Sequence, residues 1–223
     1  MTKFGIALIL TIGLLFTGGC SMFRHLGGQV AGSGNRKTEK RDVNAFTSIS
    51  ASGAFNVEVV CQKERSVTLE GDDNILPLVT TEVKGTTLYL DSKKGYSTKK
   101  PIVVRITVPD LDELSSSGAG EFTVSNIKND SMRFKTSGAA TITASGETKT
   151  LKIDMSGAGS VATANLKADN VDVTMSGAGS ADVYAANKLD ASISGAGSIT
   201  YSGDPVVTKN VSGIGSIEKK GKS

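Results

Sequence analysis

The chain has no tryptophan, one histidine, two cysteines and four prolines in 223 residues. Each scarcity removes a class of protein. Two cysteines cannot build the disulfide framework of a small secreted domain. Cys61 follows the strand-like run Val57-Glu58-Val59-Val60, where a buried, inert thiol is expected. The lone histidine, His25, stands in a glycine-rich N-terminal stretch, which removes histidine-based triads and histidine-rich metal sites. With no tryptophan, and with Tyr184 and Tyr201 as the only tyrosines of the second half, there is no aromatic platform for stacking a sugar. The net charge of +3 resides in the basic N-terminal stretch and the Lys219-Lys220 tail, a poor basis for binding nucleic acid. No stretch of useful length shows helical periodicity. The apolar run Phe4 to Phe16 is shorter than the roughly 20 residues of a membrane span.

What is abundant is glycine, and it recurs in one phrase. Ser117-Gly118-Ala119-Gly120 is followed by Ser137-Gly138-Ala139-Ala140, Ser156-Gly157-Ala158-Gly159-Ser160, Ser176-Gly177-Ala178-Gly179-Ser180, Ser194-Gly195-Ala196-Gly197-Ser198 and Ser212-Gly213-Ile214-Gly215-Ser216. The leading glycines are 20, 19, 20, 18 and 18 residues apart. A period near 20 that tolerates slippage belongs to a stack of coils. Before each serine the residues alternate, as in Leu151-Lys152-Ile153-Asp154-Met155 and Val171-Asp172-Val173-Thr174-Met175, which is the period of a strand with one buried face. After it, the series Phe122, Ile142, Val161, Ala181, Ile199, Ile217 marks a second strand. Each unit therefore reads as strand, glycine corner, strand. The corner alanines are expected to point inward with these residues, where two walls nearly meet, so that Ala178→Leu would overpack a corner. Register stacking would align Arg133, Lys152, Asp172, Asp190 and Thr208 in one outward column, and Thr123, Thr143, Ala162, Asp182, Thr200 and Glu218 in another. The fold expected is all-β, a right-handed parallel β-helix or related β-solenoid.

In chain order, residues 1–19 read as a signal peptide. Thr17-Gly18-Gly19-Cys20 resembles the lipobox of bacterial lipoproteins, with Thr17 standing where leucine is usual. That resemblance implies a diacylated (palmitate-type) Cys20 as the lipid attachment site; ordinary secretory cleavage nearby is the alternative. Either way the protein is exported. Residues 20–42 read as a lipidated cysteine and flexible basic tether carrying Arg36, Lys37, Lys40 and Arg41, a solvated linker in preference to a headgroup contact. Residues 43–219 form one body. Its part 43–113 is less regular, with strand candidates at Val67-Leu69, Leu78-Val83, Thr87-Leu90 and Ile102-Val108, and it caps the stack. Ala51-Ser52-Gly53-Ala54 looks like a degenerate founding corner. The repeat array is 114–217, and the tail 220–223 is polar, with fraying expected from Glu218.

From about Arg41 to Lys219 the chain resembles the head GIN domain family of auto-transporter adhesins. The resemblance rests on Val43…Phe46…Ile49, Ala54-Phe55-Asn56-Val57, Gly71-Asp72-Asp73-Asn74, Gly85…Leu88-Tyr89-Leu90 and the iterated Ser-Gly-Ala-Gly-Ser. It implies an exported or lipid-anchored bacterial protein with a β-helical fold, and it brings no catalytic residues. No translocating barrel is evident, so self-secretion is not expected.

Chemistry finds little purchase. Gly157-Ala158-Gly159 has neither the third glycine nor the following helix of a dinucleotide loop. Glycoside hydrolysis needs two carboxylates, one with a raised pKa. Asp154, Asp172, Asp182 and Asp190 are candidates, but Lys152, Thr174, Ser192 and Thr200 beside them read as solubilising ladder residues. Serine stands where calcium-binding solenoid turns carry aspartate. The reading is a non-enzyme with no cofactor and no metal, anchored to the membrane through its N-terminal lipid. It is either an adhesin-like module for a glycan or protein ligand or a periplasmic structural or stress-related envelope lipoprotein; a polysaccharide-active β-helix is a weaker alternative. The expected location is the outer membrane, facing periplasm or cell surface. The ligand-binding residues and oligomeric state are not specified by this reading.

Overall fold

The computed structural model describes residues 29–221. They form an all-β body, a β-solenoid of about 5 turns. The outward column is built as its spacing implies: Arg133 lies beside Lys152, then Asp172, Asp190 and Thr208, in parallel register. The second column, from Thr123 through Thr143, Ala162, Asp182 and Thr200 to Glu218, is equally regular. Between them runs a narrow core. One wall stacks Ile49, Leu114, Phe134, Ile153, Val173 and Ala191; the facing wall stacks Val57, Phe122, Ile142, Val161, Ala181, Ile199 and Ile217. All of these are buried, each large one contributing roughly 1.5–3 kcal/mol.

The corner alanines do not join that core. Ala119, Ala139, Ala158, Ala178 and Ala196 are exposed, and Ile214 in the same column is 86% exposed. The expectation of inward alanines is thus corrected, and the reason lies in the glycines. A Cβ on Gly177 would land on the carbonyl oxygen of Gly157, and one on Gly157 on that of Gly138. Those carbonyls accept the N–H of Ala178 at 3.1 Å and of Ala158 at 3.0 Å. The glycines face the neighbouring coil, and alternation turns the alanine between them to solvent. At Gly157 and Gly177 close approach, not an unusual dihedral, requires glycine. Ser52-Gly53-Ala54 is indeed the first of these corners: Ala119 donates its N–H to Gly53 at 3.1 Å and pairs with Ala54.

Chain order and stacking order differ at the N-terminal end. The coil made by Ser48–Ala51 and Phe55–Val60 is first in sequence but second in space. Outside it lie Thr87–Ser92 and Ile102–Thr107, parallel to it; the chain then returns over it to Glu113–Ser116. Antiparallel strands finish this end: Val79–Lys84 on Thr87–Ser92, and Ser66–Asp72 on Ile102–Thr107. The outermost strand is Arg36–Arg41, antiparallel on Ser66–Asp72. The basic cluster expected in a flexible tether is therefore part of the fold. Arg36 pairs with Glu70 at 3.2 Å, and Arg41 reaches Glu39 at 2.9 Å and the Leu76 carbonyl at 2.8 Å. An edge strand needs no apolar periodicity, and charge on it discourages further pairing. The signal peptide, Cys20 and His25 lie outside the described residues.

At the other end Ile214–Lys219 pairs with Ala196–Ser202, and Lys220 still donates its backbone N–H to Tyr201 at 2.8 Å. Fraying does not begin at Glu218. Cys61 is buried and free, and burial, reinforced by Asp110, pushes its thiol up to about 11.

Candidate functional site

Outward-facing side chains divide into two faces and a bend. The face before the glycine corner is a checkerboard of charge. Arg133 donates to one carboxylate oxygen of Asp154 through Nε at 2.9 Å and Nη2 at 2.7 Å. Lys135 meets Glu113 at 3.0 Å, Lys152 meets Asp172 at 3.6 Å, and Lys188 meets Asp190 at 2.7 Å. The cations Arg133 and Lys152 are neighbours in register, as are the anions Asp172 and Asp190, and the lysines and diagonal partners offset both like-charge contacts. Asp172 and Asp190 are one coil apart, a spacing of about 4.8 Å between strands. That separation suits a carboxylate pair, but the chemistry does not follow. Lys188 holds the Asp190 carboxyl below the usual range, the opposite of a proton donor. Asp182, in the other column, accepts from Lys220 at 3.1 Å.

The face after the corner is rich in hydroxyls. Thr141, Ser160, Ser180, Ser198 and Ser216 stand in one register column, with Ser180 donating to Ser160 at 3.1 Å. Thr123, Thr143 and Thr200 belong to the parallel column beside it. The face offers donors and acceptors in rows, with carboxylates among them at Glu121, Asp182 and Glu218.

The bend that follows is where the repeat length varies. Strands run through it without a break, Ala119–Thr136, Ala139–Met155, Ser160–Met175 and Ala178–Ile193 each covering the end of one coil and the start of the next. Register shifts fall between Val124 and Ile127, Thr143 and Ser145, Thr163 and Lys167, and Ala168 and Asn170. All the slippage in the 18–20-residue period is absorbed there. The bulges leave a groove of about 620 Å³. Along it Lys128 stands beside Glu147, Glu147 beside Lys167 and Lys167 beside the half-buried Tyr184. Lys149 pairs with Asp130 at 2.8 Å on its rim. Lys128, Glu147 and Lys167 form no ion pair with other described residues, so two cations and a carboxylate remain free to a ligand, with a phenol at one end. Among the described residues no group of three acidic, cysteine or histidine side chains could hold a metal.

The groove was not legible as a site. Its residues keep no fixed count from the glycine motif, because the bend is the irregular part of the coil. A signal exists all the same: Lys128, Glu147 and Lys167 are charged and spaced 19 and 20 apart, the period of the array. Tyr184 lies in this groove, whereas Tyr201 is buried near the C-terminal end of the core.

This architecture defines a β-solenoid with polar, ion-paired lateral surfaces. The family profile described as "Putative auto-transporter adhesin, head GIN domain" matches residues 45–205, and the chain belongs to that family. A crystal structure of a putative adhesin from Bacteroides fragilis is similar with a TM-score of 0.68 at 23% identity, over 86% of this chain and 100% of that one. A putative lipid binding protein from Parabacteroides distasonis gives 0.56 at 21% identity, over 87% and 100%. A putative adhesin from Parabacteroides merdae gives 0.55 at 21%, over 86% and 99%. At these identities the likeness is one of fold. A comparison with curated proteins finds no match. Among the described residues no helix is long and apolar enough to cross a membrane, which leaves strand-based crossing untouched.

Proposed function

We propose that the protein is an exported cell-envelope lipoprotein, anchored through Cys20, whose solenoid is a non-catalytic, adhesin-like binding module for a glycan or protein ligand. The observation that carries the reading is the column Lys128, Glu147, Lys167 and Tyr184 at the open groove, with free charges of both signs beside an aromatic ring. A hydroxylated or mixed-charge ligand finds there what a polar site supplies: a few convergent groups on a rigid scaffold. The row of hydroxyls on the preceding face extends the same chemistry along the stack. The carboxylates nearest to a hydrolytic pair are ion-paired, which supports binding without catalysis. Family membership and the names of the similar structures support the adhesin-like reading, and the apolar run before Thr17-Gly18-Gly19-Cys20 supports export and anchoring in the outer membrane.

Protease shaving and antibody labelling of intact cells, with a lysed-cell control and membrane fractionation, test the location. Labelling of intact cells makes glycan and protein binding screens the next step. There, Lys128→Glu with Lys167→Glu, and Tyr184→Ala separately, are expected to lose the ligand while retaining the wild-type melt. Protection until lysis removes the surface-adhesin role and leaves a periplasmic one, to be traced by crosslinking. Ligand binding that survives both groove variants removes the groove as its seat.

A further inference from the structure

The N-terminal segment leaves the body beside a loop that the sequence marks only as a turn. Val30–Ala31 pairs in parallel with Tyr96–Ser97. Val30 donates its N–H to Gly95 at 2.9 Å, and Gly32 donates to Ser97 at 2.8 Å. The loop is pinned from its other side as well: the Tyr96 hydroxyl donates to the Ala54 carbonyl at 2.8 Å, the Lys93 N–H to Leu78 at 2.9 Å, and the Ser92 hydroxyl to Lys94 at 2.7 Å. On this fixed backbone stand Lys93, Lys94, Lys99 and Lys100, all exposed. None of the four is in an ion pair with a described residue, unlike most cations of the repeat array. The ten residues Asp91 to Lys100 hold four lysines and one aspartate, a net +3 that equals the net charge of the whole chain.

We propose that this face rests on the bilayer, its four lysines against anionic phospholipid headgroups, so that the solenoid has a set orientation on the membrane. The placement rests on the lipid-anchored reading of Cys20. Whatever its conformation, the chain from Cys20 to Gln29 spans nine peptide steps, at most about 32 Å. The exit face therefore stays within about 32 Å of the surface, and its lysines attract headgroups once they come within the roughly 8 Å over which such charges act at physiological salt. Of the other basic cluster at this end, Arg36 is engaged with Glu70 and Arg41 with Glu39, while Lys37 and Lys40 stand exposed on the edge strand. Seating the loop leaves the groove free, because Lys128, Glu147 and Lys167 lie on the opposite bend of the coil.

The test uses residues 29–221, which hold their own continuous core from Phe46 to Ile217 and so fold as a unit. Co-sedimentation is measured with vesicles of phosphatidylcholine alone and of phosphatidylcholine mixed with phosphatidylglycerol, at low and high salt. The body is expected to follow the anionic vesicles only, and to release at high salt. Changing Lys93, Lys94, Lys99 and Lys100 together to Gln is expected to lower that partition by about a hundredfold or more, and each single change by about fivefold. Lys63→Gln, toward the opposite bend, is expected to leave it unchanged. Equal binding to both vesicle types, or full binding by the fourfold variant, overturns the inference. Heparin binding as tight as vesicle binding reassigns the patch to soluble polyanions and overturns it too. Palmitate labelling of the full chain in cells, with Cys20→Ala as control, reports the anchor independently. A labelled chain whose body ignores anionic vesicles keeps the anchor and loses this face; an unlabelled chain whose body binds them does the reverse.

Discussion

The ammonium of Lys209 donates a 2.6 Å hydrogen bond to the carbonyl of Ile217 across the last coil of the solenoid. Lys209 follows Ala191 in register, continuing the core column into the exposed last coil, with its ammonium 5.4 Å over the ring of the buried Tyr201. Where every earlier coil places an apolar side chain, the final one places a charge. That blunts an end whose strands have free backbone edges and whose Val206 and Ile214 are 75% and 86% exposed. Lys209→Leu is expected to make this end adhesive and to produce concentration-dependent association in sedimentation velocity. A variant that sediments as the wild type does at every concentration would remove the capping role.

The corner separates two adjacent positions. Gly177→Ala pushes a methyl group onto the Gly157 carbonyl and is expected to destabilise by about 3 kcal/mol, the upper end of overpacking. Ala178→Leu points to solvent and is expected to stay within about 0.5 kcal/mol of wild type. Thermal melts of the pair decide it: a body of this size shifts by about 2–4 °C per kcal/mol. Equal melting temperatures for the two variants would contradict the stacked-glycine corner.

Cys61 predicts an alkaline weakness. Its thiol is raised from 9.0 to about 11 in the folded state, so the fold holds the proton more tightly than the unfolded chain. The associated stability is present below about pH 9 and is lost as pH rises toward 11. The melting temperature of the wild type is expected to fall more steeply across that interval than that of Cys61→Ala. Parallel slopes would count against it. Native protein should also resist alkylation at pH 8 and react once unfolded.

The charged face should be energetically modest. Arg133 and Asp154 are part-exposed, so a double-mutant cycle on the pair is expected to yield at most about 1 kcal/mol. A coupling several times larger would mean that this face helps hold the stack together.

The repeat array was readable because its determinants are local. Alternation sets which residues are buried, and a constant count from one glycine corner to the next sets which residues touch. Phe134, Ile153 and Val173 therefore stack as their spacing says. The alanines were misread because a single strand does not reveal where its neighbour's carbonyl lies. Only the contact between Gly177 and Gly157 makes the glycine the tight position and turns Ala178 out. The groove escaped for a related reason: bulges break the count at the bend, so Lys128 and Tyr184 acquire a common wall only after the coils are stacked.

The sequence alone determined an all-β stack with a period near 20, its core residues and its outward columns, because each follows from side-chain alternation repeated along one chain. Tertiary structure decided what depends on distant partners. Phe55–Val60 is flanked by a strand that comes later in the chain, Arg36–Arg41 becomes an edge strand by pairing with Ser66–Asp72, and Val30 brings the N-terminal exit against the lysines around Tyr96. Each of these rests on backbone hydrogen bonds between segments tens of residues apart, and such bonds depend on which edges are left unpaired, a property of the assembled sheet.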